Sequence, residues 1–95
     1  MGKKKNVETE EYQYIPLNDH NNFYYTFDLG CSAALVSAGF ELLSLDKGDR
    51  RKVQFIFRRA DGIEEVVDQY FADRLEVKAR RYFDNIRALK NSIYE

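Results

Sequence analysis

Between Lys52 and Phe71 the spacing of the apolar residues changes from two to about 3.6, and that change demands a fold with both strand and helix. Val53, Phe55 and Phe57 alternate with Lys52, Gln54, Ile56 and Arg58, the pattern of a strand with one buried face. A few residues later Ile63, Val66, Val67, Tyr70 and Phe71 fall at i, i+3, i+4, i+7 and i+8. That is the stripe of a helix laid on a core, and all five are expected to be buried. Asp61 and Glu64 stand before it at capping-box spacing.

The rest of the chain extends this alternation. Phe23-Tyr24-Tyr25-Thr26-Phe27 is aromatic and β-prone, a short strand. Asp28 offers an N-cap oxygen to a helix over 29–38 made mostly of small residues. Gly30, Ala34 and Ala38 recur every fourth position, a face suited to close packing on a sheet. Gly39 fits the left-handed stop after a helix, with Phe40 as its apolar follow-up contact. Glu41 to Leu45 and Lys52 to Arg58 are strands around the turn-rich loop 46–50. A longer helix runs from Val77 to Tyr94 with the stripe Ala79, Tyr82, Phe83, Ile86, Leu89 and Ile93. The order strand, helix, strand, strand, helix, helix predicts an α+β domain with a small, mainly antiparallel sheet.

Residues 1–22 are polar and hold the single proline, Pro16, and the single histidine, His20. They predict a flexible arm with one apolar knot, Tyr12-Gln13-Tyr14-Ile15-Pro16-Leu17, ahead of one compact domain over 23–95. With 95 residues, seven Phe and seven Tyr, the chain can build a core without staples. One cysteine, Cys31, makes no internal bridge, which fits a reducing, cytoplasmic compartment. No apolar run approaches the roughly 20 residues of a bilayer span, and no hydrophobic segment follows Met1. The start Met1-Gly2-Lys3-Lys4-Lys5-Asn6 lacks the Ser or Thr of a myristoylation signal.

Tyr24 through Gly30, the small residues up to Leu35, Gly39-Phe40, Val53-x-Phe55-x-Phe57, Tyr70-Phe71, Leu75-x-Val77 and the ending Leu89-Lys90-x-x-Ile93-Tyr94 carry a resemblance. In that order they resemble a family known only as a domain of unknown function, found in bacteria and their phages. The resemblance covers about residues 23–94. It implies a compact α+β domain in a phage or mobile-element setting, without an activity or catalytic residues.

The residues themselves argue against catalysis. His20 sits in the arm, where nothing orients it, and one Cys with one distant His does not make a metal site. Cys31 lies in the first turn of its helix, where the dipole favours a thiolate, although a buried structural cysteine is the commoner use. Glu64, Glu65 and Asp68 are explained by capping and dipole complementarity. No glycine-rich phosphate loop is present, and no cofactor is expected.

Charge runs in blocks. Lys47, Arg50, Arg51, Lys52, Arg58 and Arg59 oppose only Asp49; Asp61, Glu64, Glu65, Asp68, Asp73 and Glu76 oppose only Arg74; Lys78, Arg80, Arg81, Arg87 and Lys90 oppose only Asp84. The net charge of −1 conceals this segregation. An acidic helix packed between the two basic blocks would neutralise both. Otherwise Lys47, Arg50, Arg51, Lys52, Arg58, Lys78, Arg80, Arg81 and Arg87 are candidates for contact with an anion or a partner. Lys78, Arg80 and Arg81 stand out because they oppose the dipole at a helix start, with Glu76 and Asp84 spaced to offset Arg80. The expected function is a non-enzymatic accessory or protein-interaction domain, with a host or phage protein as partner. Nucleic-acid contact through the basic hairpin and last helix is the alternative; self-association also fits, and membrane insertion does not.

Overall fold

The computed structural model describes residues 19–49 and 51–95. The arm and its apolar knot lie outside the described residues as far as position 18, and so does Arg50. The elements are β1 (Phe23–Thr26), α1 (Leu29–Ser37), β2 (Leu42–Asp46), β3 (Gln54–Arg58), α2 (Ile63–Phe71) and α3 (Ala79–Ile93). The α+β class and the element order match the sequence reading.

β3 is the central strand, antiparallel to β1 on one side and to β2 on the other. The two outer strands are therefore parallel, joined by α1, and β3 fills the gap between them. Opposed residues share a face, so Tyr24 and Thr26 of β1 lie with Phe57 and Phe55, as do Leu42 and Leu45 of β2. An irregularity between Leu42 and Ser44 shifts the β2 register. This inner face meets all three helices in one cluster built from Val53, Phe55, Phe57, Cys31, Ala33, Leu35, Ile63, Val67 and Leu89.

α1 is the centre of the molecule. Cys31, Ser32, Ala33, Ala34, Leu35 and Ser37 are all buried, so the helix is covered nearly all round. Asp28 starts it: its Oδ1 accepts from the Cys31 N–H at 2.7 Å. Gly39 ends it at φ 103°, with Phe40 N–H donating to the Leu35 carbonyl at 3.0 Å and Gly39 N–H to Val36 at 3.1 Å. That is the Schellman stop the sequence predicts. The two serines bond back within the helix, Ser32 to the Asp28 carbonyl at 2.9 Å and Ser37 to Ala33 at 2.7 Å. The Asn85 amide of α3 then donates to Ser37 Oγ at 2.9 Å, a link across 48 residues.

Four expectations need correction. The small-residue face of α1 packs on helices rather than on the sheet: Gly30 lies against the hydroxyls of Tyr70 in α2 and Tyr82 in α3. The capping box does not form, because the N-cap position is taken by Gly62 at φ 87°, which leaves Asp61 one residue too early. Glu64 is turned instead to Arg59 at 2.8 Å. The stripes overreach, since Phe71 is 62% exposed and Phe83 55%, and Ala79 is exposed as well. α2 packs chiefly on α1, which covers a narrower arc than a five-residue stripe assumes. For the same reason the acidic helix does not sit between the basic blocks; α1 holds that central position.

A Cβ on Gly30 would overlap the Tyr70 hydroxyl and stand 3.3 Å from that of Tyr82. Gly30→Ala is expected to destabilise by about 1–3 kcal/mol through overpacking, despite the better helix propensity of alanine. Urea denaturation measures this, with Ala88→Gly, at an exposed interior position of α3, as a control for propensity alone.

Candidate functional site

The basic residues singled out by the sequence fall in separate places. Lys47, Arg51 and Lys52 belong to the β2–β3 loop, which lies at the C-terminal end of α3. Lys47 Nζ donates to the Ser92 carbonyl at 2.6 Å and to the Glu95 carbonyl at 3.4 Å. It therefore caps the negative end of the helix dipole. Arg51 is paired only loosely with Asp49, at 3.9 Å, and its side chain is 93% exposed. Lys52 Nζ stands 4.9 Å from the centre of the half-exposed Phe27 ring. Arg58 lies at the far end of β3, held to Glu41 at 2.9 Å.

Lys78, Arg80 and Arg81 lie at the start of α3, roughly 20 Å from the loop by the rise of the helix. Lys78 is the N-cap and provides no side-chain cap, and the first turn has no acid. Arg80 meets Asp84 at 3.5 Å, as its spacing suggests, but makes no ion pair with Glu76. Arg81 and Lys78 have no ion pair among the described residues. Arg87 lies midway, 5.6 Å over the exposed Phe83 ring. Among the described residues no single surface gathers these charges.

What the fold does assemble is a groove of about 560 Å³ along α1, the α2–α3 connector and the start of α3. Ala34, Leu75, Val77 and Ala79 provide its apolar lining, Tyr70 and Tyr82 its hydroxyls, and Asp73 and Glu76 its charge. Tyr82 Oη lies 3.2 Å from the Gly30 carbonyl and 3.4 Å from Tyr70 Oη. A carbonyl only accepts, so the single Tyr82 proton goes to Gly30 and Tyr70 donates to Tyr82. Donation to Tyr82, followed by desolvation, pushes the Tyr70 phenol far above its ordinary range.

The connector makes this groove by ending α2 abruptly. Asp73 takes φ 61°, and the Arg74 N–H reaches the Gln69 carbonyl at 2.8 Å. This is a Schellman-type stop in which an aspartate occupies the position glycine prefers. Phe83 continues the apolar strip, one turn along α3 from Ala79 on the same face. The groove escaped the sequence reading because its walls come from three elements; the Tyr70–Gly30–Tyr82 contact leaves no local pattern.

Cys31 is fully buried, and its thiol is pushed up to about 11, first by burial and then by the Asp28 carboxylate that caps the same helix. Burial thus outweighs the helix dipole at this thiol. Among the described residues no three His, Cys, Asp or Glu side chains gather as metal ligands, and no helix is long and apolar enough to cross a membrane.

Native protein at pH 8 is expected to leave Cys31 unmodified by a thiol-specific chromogenic reagent, with one equivalent released on denaturation; prompt reaction in the native state would contradict the burial. Lys47→Met is expected to cost about 0.3–1 kcal/mol at low ionic strength by uncapping α3. The loss should shrink in high salt, as paired urea titrations would show.

No curated protein and no solved structure matches the chain. A family model does, over residues 21–95, spanning the whole sheet and all three helices. The chain therefore belongs to the family described as Domain of unknown function (DUF5659).

Proposed function

We propose that this domain is a non-enzymatic interaction module that docks a protein partner in the groove between α1, the α2–α3 connector and the start of α3. The observation that carries the reading is the apolar lining of Leu75, Val77 and Ala79, with the 55% exposed Phe83 one helical turn beyond Ala79. Exposed aromatic side chains beside an apolar pocket are the usual anchors of protein interfaces. The groups best able to do chemistry are poorly placed for it. Cys31 is sealed and protonated, and Tyr70 is committed as a donor. The resemblance noted in the sequence favours a bacterial or phage setting, and the lone reduced cysteine favours the cytoplasm.

Nucleic-acid contact is the second reading, and a different observation favours it. At the β2–β3 loop, Lys52 overlies the exposed Phe27 ring and Arg51 extends into solvent, a cation beside a stacking platform. Asp46, Asp49 and Glu95 crowd the same end, however, and Lys47 is already engaged.

Affinity capture with the full chain from nuclease-treated lysate tests the first reading. Wild type is expected to retain a partner, and Ala79→Arg to lose it while circular dichroism stays unchanged. Retention by the variant, or loss of the partner on nuclease treatment alone, would count against the groove. On a heparin column the protein is expected to elute at low salt; late elution that Arg51→Ala with Lys52→Ala abolishes would favour the second reading.

A further inference from the structure

The side chains lining the groove offer one kind of polar group. Its two hydroxyls are linked in a fixed direction: the Gly30 carbonyl only accepts, so Tyr82 donates to it at 3.2 Å and Tyr70 donates to Tyr82 at 3.4 Å. Both phenol protons are spent in this relay, and the Tyr70 oxygen at its open end keeps lone pairs to offer. The charged groups in the lining, Asp73 and Glu76, are exposed carboxylates. Neither forms an ion pair among the described residues. The chain's nearby cations do not fill the place, since Arg74, Lys78, Arg80 and Arg81 are all absent from the lining. Arg80 is turned to Asp84 at 3.5 Å, and Arg81 lies about 200° round the helix from Ala79. The aromatic rings point the same way. Of the three exposed phenylalanines, Phe27 has Lys52 4.9 Å from its ring centre and Phe83 has Arg87 at 5.6 Å. Phe71, 62% exposed, has no cation over it among the described residues, and it meets the groove's Tyr70 ring edge-on at 5.0 Å.

We propose that the groove receives an arginine side chain of the partner, carried between apolar residues. The inference rests on the docking reading above and names the chemistry that the groove selects. The methylene stem lies on Leu75, Val77 and Ala79, while the guanidinium donates to the Asp73 and Glu76 carboxylates and to Tyr70 Oη. Phe71 supplies a ring face beside them. Arginine suits this set better than lysine, because its planar head holds five donors for several acceptors and also stacks on an aromatic ring. An acidic side chain would meet two carboxylates and a phenol oxygen whose proton is already committed. The groove, at about 560 Å³, has room for one such side chain with its apolar neighbours.

Nuclear magnetic resonance titration of the full chain tests this, with the Ala34 and Ala79 methyls, which both line the groove, as reporters. The probes are three blocked tripeptides with leucine at each end and arginine, citrulline or glutamate in the middle; citrulline keeps the shape of arginine without its charge. The arginine peptide is expected to shift both methyls saturably, the citrulline peptide to bind about tenfold more weakly, and the glutamate peptide to leave them unmoved. The double variant Asp73→Asn, Glu76→Gln should lower the arginine peptide's affinity by about tenfold, the size of one charge-assisted hydrogen bond, and erase its advantage over citrulline. Asparagine tolerates the left-handed backbone at position 73, and circular dichroism checks that the variant is folded. Equal binding of the arginine and citrulline peptides, or arginine binding unaltered in the double variant, would overturn the arginine site while leaving an apolar groove able to dock a partner. Unmoved methyls with all three peptides would also overturn it, and the docking reading would then stand or fall separately on the Ala79→Arg capture.

Discussion

The close fit of α1 among its neighbours is the constraint on which the other packing depends. A nine-residue helix is too short to persist on its own side-chain preferences, so its stability has to come from being enclosed. Leu35 is fully buried, worth about 1.5–3 kcal/mol against exposure, while Ala33, Ala34 and Gly30 contribute by staying small. Small side chains let α2 and α3 approach closely enough for Tyr70 and Tyr82 to reach the Gly30 backbone. The polar groups taken inside with the helix are satisfied: Ser32 and Ser37 bond to their own backbone, and Asn85 bonds to Ser37. Without that satisfaction each buried hydroxyl would cost about 1–3 kcal/mol.

The charge blocks sort into different physical roles once the elements are placed. Arg58 and Arg59 pair with Glu41 and Glu64 and tie the end of β3 to the chain before β2 and to the start of α2. Arg59 also lies 5.7 Å from the centre of the Tyr24 ring, over one edge of the sheet. The Arg58–Glu41 pair is exposed, and such pairs contribute ~0–1 kcal/mol, so it orients a surface segment more than it stabilises the fold, whereas the Arg59 side chain is largely covered. Lys47 does something more specific. By reaching the last carbonyls of α3 it joins the β2–β3 loop to the helix that packs on α1.

Features set by neighbours along the chain were legible in the sequence. Asp28 caps the helix that follows it, Gly39 with Phe40 ends it, and Val53, Phe55 and Phe57 alternate into the core because each depends on residues within a few positions. Features set by partners distant in sequence were not. Nothing near Lys47 indicates that it meets Ser92, 45 residues away. Asp61 and Glu64 satisfy the spacing of a capping box, yet Gly62 adopts a positive φ that only the turn into α2 requires. Phe71 and Phe83 satisfy helical periodicity, but periodicity describes a face without saying how much of it a neighbour covers. The groove belongs in part with these non-local features: most of its lining comes from the single stretch between Tyr70 and Tyr82, but it is completed only by Ala34 of α1.

The stretch from Asp73 to Arg81 concentrates the departures from local preference in this chain. Asp73 adopts a left-handed backbone that costs a non-glycine residue about 1–2 kcal/mol. Lys78 caps α3 without a capping side chain, and Arg80 and Arg81 follow where the dipole disfavours cations by about 0.3–1 kcal/mol each. The other end of α3 is matched, with Lys90 in its last turn and Lys47 on its carbonyls. A helix well matched at one end and mismatched at the other is not explained by stability, and sequences tend to break local rules where binding imposes another requirement. Asp73, Leu75, Glu76, Val77 and Ala79 all line the same groove. The coincidence of backbone strain, electrostatic mismatch and exposed apolar surface in one short connector is why the proposed docking is assigned to that groove rather than to the basic hairpin.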